Sequence, residues 1–250
     1  MNVLVINGSP RSEQSSTMHL TRAFLDGAGW QNAEIIDLTK QQIEHCMGCF
    51  ACWFHTPGNC VIEDSMSELL PKIIAADVVI WSFPLYYYNI PGKLKSFIDR
   101  QIPLVSPEMS EGNESGDHPD RYDLSGQRNI LISSCGFWTA KGNYPSVEAM
   151  FDRIWAEGRY GDNVYEKIFV GQGSLLNLPS QEITPEVLAI APNALEIQAK
   201  VSTYLDVVRT AGTQWAAGKI DGATHRQLEQ TIMTKEEFEK IHNDNVAQMQ

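Results

Sequence analysis

The chain has 250 residues, 43% of them hydrophobic, enough to bury a full core in one large domain with room for an extension. Its formal net charge of −12, unrelieved by any Lys/Arg run, argues against nucleic acid or an anionic membrane as a partner. No apolar run approaches the ~18 residues of a membrane span, and residues 1–10 lead into a strand and turn without a leader's charged region or cleavage site, so a soluble cytoplasmic protein is expected.

Val3, Leu4, Val5 and Ile6 form a short apolar run, stopped by the turn Asn7-Gly8-Ser9-Pro10-Arg11. A helical pattern over 15–27 follows, which opens a strand-helix-strand unit. Further apolar runs occur at Ile35-Ile36, Val78 to Trp81, Ile130 to Ile132 and Lys167 to Val170. Helices are predicted between and after them over 64–76, 92–100, 146–157 and 185–211. Five strands alternating with helices predict an α/β fold with a doubly wound parallel sheet and helices on both faces. Residues 106–127, rich in Gly, Ser, Asp, Glu and Pro, read as a long exposed loop, and loops of that length are more often functional or disordered than structural. The polar stretch from 224 onward, helical over 235–243, belongs to a C-terminal extension. The organisation expected is a core domain over 1–215 and an extension over 216–250 that packs on the core or on a partner subunit.

In an open parallel sheet, ligands bind beyond the carboxyl ends of the strands where the strand order reverses. Each loop at such a place is unusual here. After the first strand, Ser9 and Arg11 precede Ser15, Ser16 and Thr17 at a helix entrance, where hydroxyls and free amides suit a phosphate monoester. One of those hydroxyls alternatively serves only as the helix cap. Neither a Walker loop nor a Gly-x-Gly-x-x-Gly pattern is present. After the third strand come Pro84, Leu85 and the consecutive Tyr86, Tyr87 and Tyr88, which either stack on a flat ring or pack on a sheet edge or interface. After the fourth, Ser134, Cys135 and Gly136 offer small polar groups and close backbone approach. Cys135, without His and Asp partners, reads as a buried thiol rather than a nucleophile.

The series Asn-Gly-Ser-Pro-Arg, then Ser-Ser-Thr, then Pro-Leu-Tyr-Tyr-Tyr-Asn-Ile-Pro-Gly-Lys-Leu-Lys-Ser-Phe-Ile-Asp-Arg resembles the NADPH-dependent FMN reductase family, of flavodoxin-like fold. The resemblance runs to about residue 171. It implies that Ser9, Arg11, Ser16 and Thr17, with Ser15 beside them, hold the FMN phosphate. It also implies that Pro84, Leu85, Tyr86, Tyr87 and Tyr88 wrap the isoalloxazine, and that Ser134, Cys135 and Gly136 complete the site. Ser16 departs from the Asn that many members carry. Lys93, Lys95, Asp99 and Arg100 also fit the family pattern, but read as a solvated helix face with one ion pair.

Cys46, Cys49, Cys52 and Cys60 lie within fifteen residues. Their spacing is similar to the compact motif of iron-sulfur flavoproteins, a branch of the same family, which implies ligands for a four-iron cluster. Reduced structural thiols are the competing reading, and zinc is a third. The six histidines show no metal spacing and receive no role.

The resemblance implies an FMN-dependent oxidoreductase taking hydride from NADPH or NADH and passing electrons to a quinone, a flavin or a similar small acceptor. The cofactor carries the chemistry, so no side chain is assigned a catalytic role. The tyrosines and the 106–127 loop are expected to border the entrance for the second substrate. Because FMN sites in this family often lie at a dimer interface, a homodimer or higher homo-oligomer is expected. The alternatives are an iron-sulfur electron carrier serving ferredoxin-like partners and a flavodoxin-like module without enzymatic activity.

Overall fold

The computed structural model describes residues 1–109, 116–155 and 165–249. Its elements in chain order are β1 (Val3–Asn7), α1 (Ser16–Ala28), β2 (Glu34–Asp37), α2 (Ala51–Phe54), α3 (Met66–Ala75), β3 (Val78–Pro84), α4 (Gly92–Asp99), β4 (Arg128–Ser134), α5 (Pro145–Ile154), β5 (Tyr165–Val170), α6 (Pro185–Ile190), α7 (Ala194–Ala216), α8 (Gly222–Leu228) and α9 (Lys235–Met249). All five strands are parallel in the order β2-β1-β3-β4-β5. The expected doubly wound sheet is therefore present, with its strand order reversing between β1 and β3. The register sets Asn7 beside Ser82 and Pro84 beside Ser134, so the carboxyl ends of β1, β3 and β4 lie side by side.

Strand side chains alternate between two apolar layers because successive residues point to opposite faces. Val5, Ile80, Ile130, Ile132 and Ile168 face α1, α7, α8 and α9. Leu4, Ile6, Val79, Trp81 and Leu131 face α3, α4 and α5. On the first face α1 and α7 approach closely through two glycines: a Cβ added to Gly27 would stand 1.8 Å from the Arg209 carbonyl oxygen, and one at Gly212 would stand 2.1 Å from that of Phe24. The extension packs on this same layer through Leu228, Met233 and Phe238.

The helix expected over 185–211 is two helices. Pro192 cannot donate an intrahelical hydrogen bond, and the residue before it, Ala191, is displaced from the helical region to φ −127°, ψ 81°. The last helix runs to Met249, beyond the expected 243. Strands β3 and β4 are longer than expected, so Pro84, Ser133 and Ser134 belong to strand ends. The end of the helix expected over 146–157, residues 156 and 157, lies outside the described residues.

Candidate functional site

The β1–α1 connection holds two kinds of hydroxyl. Ser15 is the α1 cap, its side chain accepting from the Met18 amide at 3.1 Å, so the capping alternative holds for this serine. Thr17 is wholly buried, with its hydroxyl 2.8 Å from that of Ser134. Two residues expected on separate loops thus form one pair that ties the mouth of α1 to the end of β4. One turn on, Thr21 donates to Ser82 on β3 at 2.8 Å, which explains a polar seam beneath an apolar sheet.

Ser16 remains half-buried with no hydrogen-bond partner for its hydroxyl among the described residues. The amides of Ser16 and Thr17 lie in the first turn of α1, which has no intrahelical acceptors for them, at the positive end of the helix dipole. The buried Ser9 hydroxyl accepts from the Arg11 amide at 3.3 Å, and the Arg11 side chain is exposed. Asn7, buried at the end of β1, accepts from the Ser9 amide, while its Nδ2 has no partner. From below, Ser12 donates to Asp37 at the end of β2. Burial alone would raise the Asp37 carboxyl, but hydrogen bonds from Ser12 and Thr39 and the charge of Lys40 hold it below the usual range. The free first-turn amides, the Ser16 hydroxyl and the exposed Arg11 side chain are the donors this mouth presents to an anion such as phosphate, while the Asp37 carboxylate is engaged by Ser12 and Thr39.

The β3 loop is a hairpin-like turn in which the Tyr86 amide donates to the Asn89 carbonyl at 2.8 Å and the Asn89 amide returns the bond at 3.0 Å. Its two central residues, Tyr87 (φ 48°) and Tyr88 (φ 62°), are both left-handed, a conformation usually filled by Asn and Gly. The turn keeps all three tyrosines exposed, Tyr87 at 98%. Leu85 below them is buried, and its amide donates to the Ser134 carbonyl at 2.9 Å, joining the β3 and β4 loops. Tyr88 stacks on Phe137, with ring centroids 5.7 Å apart. Around the Cβ position of Gly136 nothing stands within 4 Å, so the rim there is open. Cys135 is buried, which pushes its thiol up, as expected of an inert sulfur. The open aromatic rim fits a flat ring as the α1 mouth fits a phosphate.

The four clustered cysteines are free thiols lining one cavity of about 20 Å³, together with Arg100. Burial pushes the Cys52 thiol up, and the neighbouring Cys60, Cys49 and Cys46 add to the shift. Among the described residues no trio of His, Cys, Asp or Glu is arranged to hold a metal ion.

Arg100 corrects the expected solvated face. Its side chain is 1% exposed and forms a bidentate pair with the wholly buried side chain of Asp64, at 2.7 and 2.9 Å. Nη1 also donates to the Glu44 carbonyl at 2.8 Å, and Nε has no partner. Burial opposes both charges, yet each holds the other: Asp64 stays below the usual carboxylate range, helped by the amides of Glu44 and Met66, while Asp64 and Cys60 raise Arg100. Lys95 and Asp99 do form the ion pair expected on that face, both side chains exposed, at 2.5 Å.

The described part of the 106–127 loop lies against the cysteine segment rather than the tyrosines. The Trp53 and His118 rings are 4.8 Å apart, and Tyr122 stands against Gly58. Residues 110–115 of that loop lie outside the described residues. A cavity of about 720 Å³ beside the tyrosine turn is walled instead by α9. The sequence marks α9 as helical but carries no local sign of where it docks.

A parallel sheet with a phosphate-ready helix mouth and an aromatic rim at its strand-order reversal defines a flavodoxin-like protein. The chain belongs to the flavodoxin-like fold family, whose model matches residues 1–160. It is 32% identical over 227 residues to an FMN-dependent NADH:quinone oxidoreductase of Ralstonia nicotianae, a match covering 84% of this chain and 99% of that one. It is 34% identical over 118 residues to an iron-sulfur flavoprotein of Archaeoglobus fulgidus, covering 46% of this chain and 52% of the relative, so the chain spans about half the length of that protein. In fold it is similar to an FMN-dependent NADH-azoreductase from Bacillus anthracis, with a TM-score of 0.54 and 20% identity over 86% of this chain and all of that one. No helix among the described residues is long and apolar enough to cross a membrane.

Proposed function

We propose that the protein is an FMN-dependent NAD(P)H oxidoreductase that passes electrons to a quinone or a similar small acceptor. The observation that carries this reading is the convergence of a donor-rich helix mouth and an open tyrosine rim on one sheet edge, joined by the Thr17–Ser134 and Leu85–Ser134 bonds. FMN, when bound, supplies the hydride-transfer chemistry. The amides of Ser16 and Thr17, the Ser16 hydroxyl and Arg11 hold its phosphate, with Ser9 and Ser15 shaping the loop. Pro84, Leu85 and the three tyrosines flank the ring, and the Cys135-Gly136 backbone leaves one side open for the nicotinamide and the acceptor. The NADH-dependent quinone reductase relative supports both the reductant and the acceptor class. Titration of apoprotein with FMN and with riboflavin tests the site. The phosphate contacts predict retention of one FMN per chain and riboflavin binding weaker by about tenfold or more. Equal affinity would place the phosphate elsewhere.

A second reading rests on the cysteine cavity. Cys46, Cys49, Cys52 and Cys60 line one cavity, and the iron-sulfur flavoprotein relatives support these four as ligands of a four-iron cluster, which is larger than the space of about 20 Å³ between them and would require the cysteine segment to spread. When bound, a cluster supplies single-electron exchange, which would suit a ferredoxin-like partner. Iron and acid-labile sulfide in anaerobically purified protein, lost together in Cys49→Ala, would establish it; their absence leaves the thiols structural.

Self-association belongs to the same proposal. Met47 (70% exposed) and Phe54 (68%), both on the cysteine segment, are large exposed apolar side chains that a second copy would cover. Light scattering in solution gives the stoichiometry.

A further inference from the structure

The cavity beside the tyrosine turn has two walls of different origin. Leu85, Tyr87, Tyr88, Gly136 and Phe137 form one, on the same core-sheet loops proposed to border the flavin ring, and Phe238, Glu239, His242 and Asn243 of α9 form the other. Its volume of about 720 Å³ falls in the range of sites that enclose a small organic molecule.

The helix is fixed at its entry. Thr234 and Glu237 close a reciprocal capping box, with the Thr234 amide donating to Glu237 at 3.0 Å and the Glu237 amide to Thr234 at 3.3 Å. Phe238 and Ile241, three residues apart, pack on the core layer. The adjacent strip of Glu239, His242 and Asn243 follows the i, i+3, i+4 spacing and lies along the cavity. Lys235 stands 3.8 Å from Glu239 and above the Trp138 ring, so the one carboxylate on the strip is countered. His242 and Asn243 have no hydrogen-bond partner among the described residues and are the polar groups that α9 offers to a ligand.

We infer that α9 is the specificity wall of the acceptor pocket. It selects flat, uncharged aromatic acceptors bearing a carbonyl oxygen, which stack against the Tyr88–Phe137 pair and accept a hydrogen bond from His242. Lys235 beside Glu239 tempers the charge of the strip, the aromatic wall favours planar rings, and the His242 and Asn243 donors on the opposite wall favour a ligand with a carbonyl oxygen over an aliphatic one. This inference rests on the proposed FMN site.

The test is equilibrium binding of 2,3-dimethyl-1,4-naphthoquinone, which has no free quinone-ring position for a thiol to attack, to the oxidised, FMN-loaded full chain, by calorimetry, without nicotinamide. His242 is exposed, so its replacement is not expected to disturb folding, and FMN content is measured in every variant. Kd is expected to rise by about threefold to tenfold in His242→Ala, the worth of one hydrogen bond, and to stay within about threefold of wild type in His242→Gln, which keeps a donor. A rise of less than about threefold in FMN-containing His242→Ala, or no binding by wild type, overturns the inference while leaving the FMN site standing. A wild-type protein that retains no FMN overturns the reading beneath it, and the inference with it.

Discussion

The side-chain amide of Gln172 is bonded at both ends to the backbone of Met233, Nε2 donating to the carbonyl at 2.8 Å and Oε1 accepting from the amide at 2.9 Å. Gln172 follows β5 in a left-handed conformation, and its own amide donates to the Phe137 carbonyl at 2.6 Å. One residue therefore joins the rim of the crevice to the entry of α9. Gln172→Leu keeps the volume but removes both side-chain bonds from buried backbone groups, so stability should fall by about 1–3 kcal/mol in urea. Amides of α9 should exchange faster with solvent, and the KM for a quinone should rise while FMN content holds. Unchanged exchange in α9 would show that Phe238 and the capping box hold it alone.

The Asp64–Arg100 pair predicts a pH dependence of stability. Asp64→Asn leaves a buried guanidinium without its countercharge, a loss of about 3–5 kcal/mol. The folded-state pKa of Asp64 lies below its unfolded value of about 3.9. Its contribution is therefore fully present above that unfolded value and is lost as pH falls through the folded one. Denaturation midpoints of wild type and variant should differ most at pH 7, and the gap should narrow progressively as pH falls below about 4. A gap of the same size at every pH down to acid unfolding would remove the carboxylate from the account.

Tyr87 and Tyr88 occupy positions that Asn and Gly fill at lower cost. Replacing both as Tyr87→Asn and Tyr88→Gly relieves left-handed strain of about 1–2 kcal/mol per residue. It also removes the Tyr88–Phe137 stack, worth about 0.5–1.5 kcal/mol. Thermal stability should hold or rise while the quinone KM increases, as expected where strain is kept for a binding surface. A loss of stability would show that the tyrosines pack more than they bind.

Ser15 and Ser16 are neighbours with opposite expectations. Ser15→Ala removes the α1 cap and should cost about 1 kcal/mol. Ser16→Glu adds a carboxylate at the positive end of α1, which favours the helix by about 0.3–1 kcal/mol but faces the FMN phosphate. It should fold as well as wild type and purify without flavin. Stoichiometric FMN in Ser16→Glu would mean the phosphate lies elsewhere.

Strands and loop chemistry were legible because their signals are local. The apolar run Val3 to Ile6, the hydroxyls after it and three consecutive tyrosines between prolines each declare themselves within a few residues. What was not legible is what the sheet assembles from afar. Arg100 at a helix end reads as solvated until β3 and α4 carry it to Asp64, 36 residues away. The α9 wall opposite Phe137 comes from residues about a hundred positions downstream, placed there by Gln172 and Phe238. The break between α6 and α7 carried a local signal in Pro192, which the apolar pattern on either side concealed.

The central claim is that this sheet edge holds FMN and places it between a nicotinamide and a quinone. It is tested most directly by an anaerobic absorbance titration of the FMN-loaded protein, first with NADH and then with 2-methyl-1,4-naphthoquinone. The account predicts that the yellow flavin band bleaches with one equivalent of NADH and returns with one equivalent of quinone. A protein that binds no FMN, or whose bound FMN stays oxidised under excess NADH and NADPH, would contradict it.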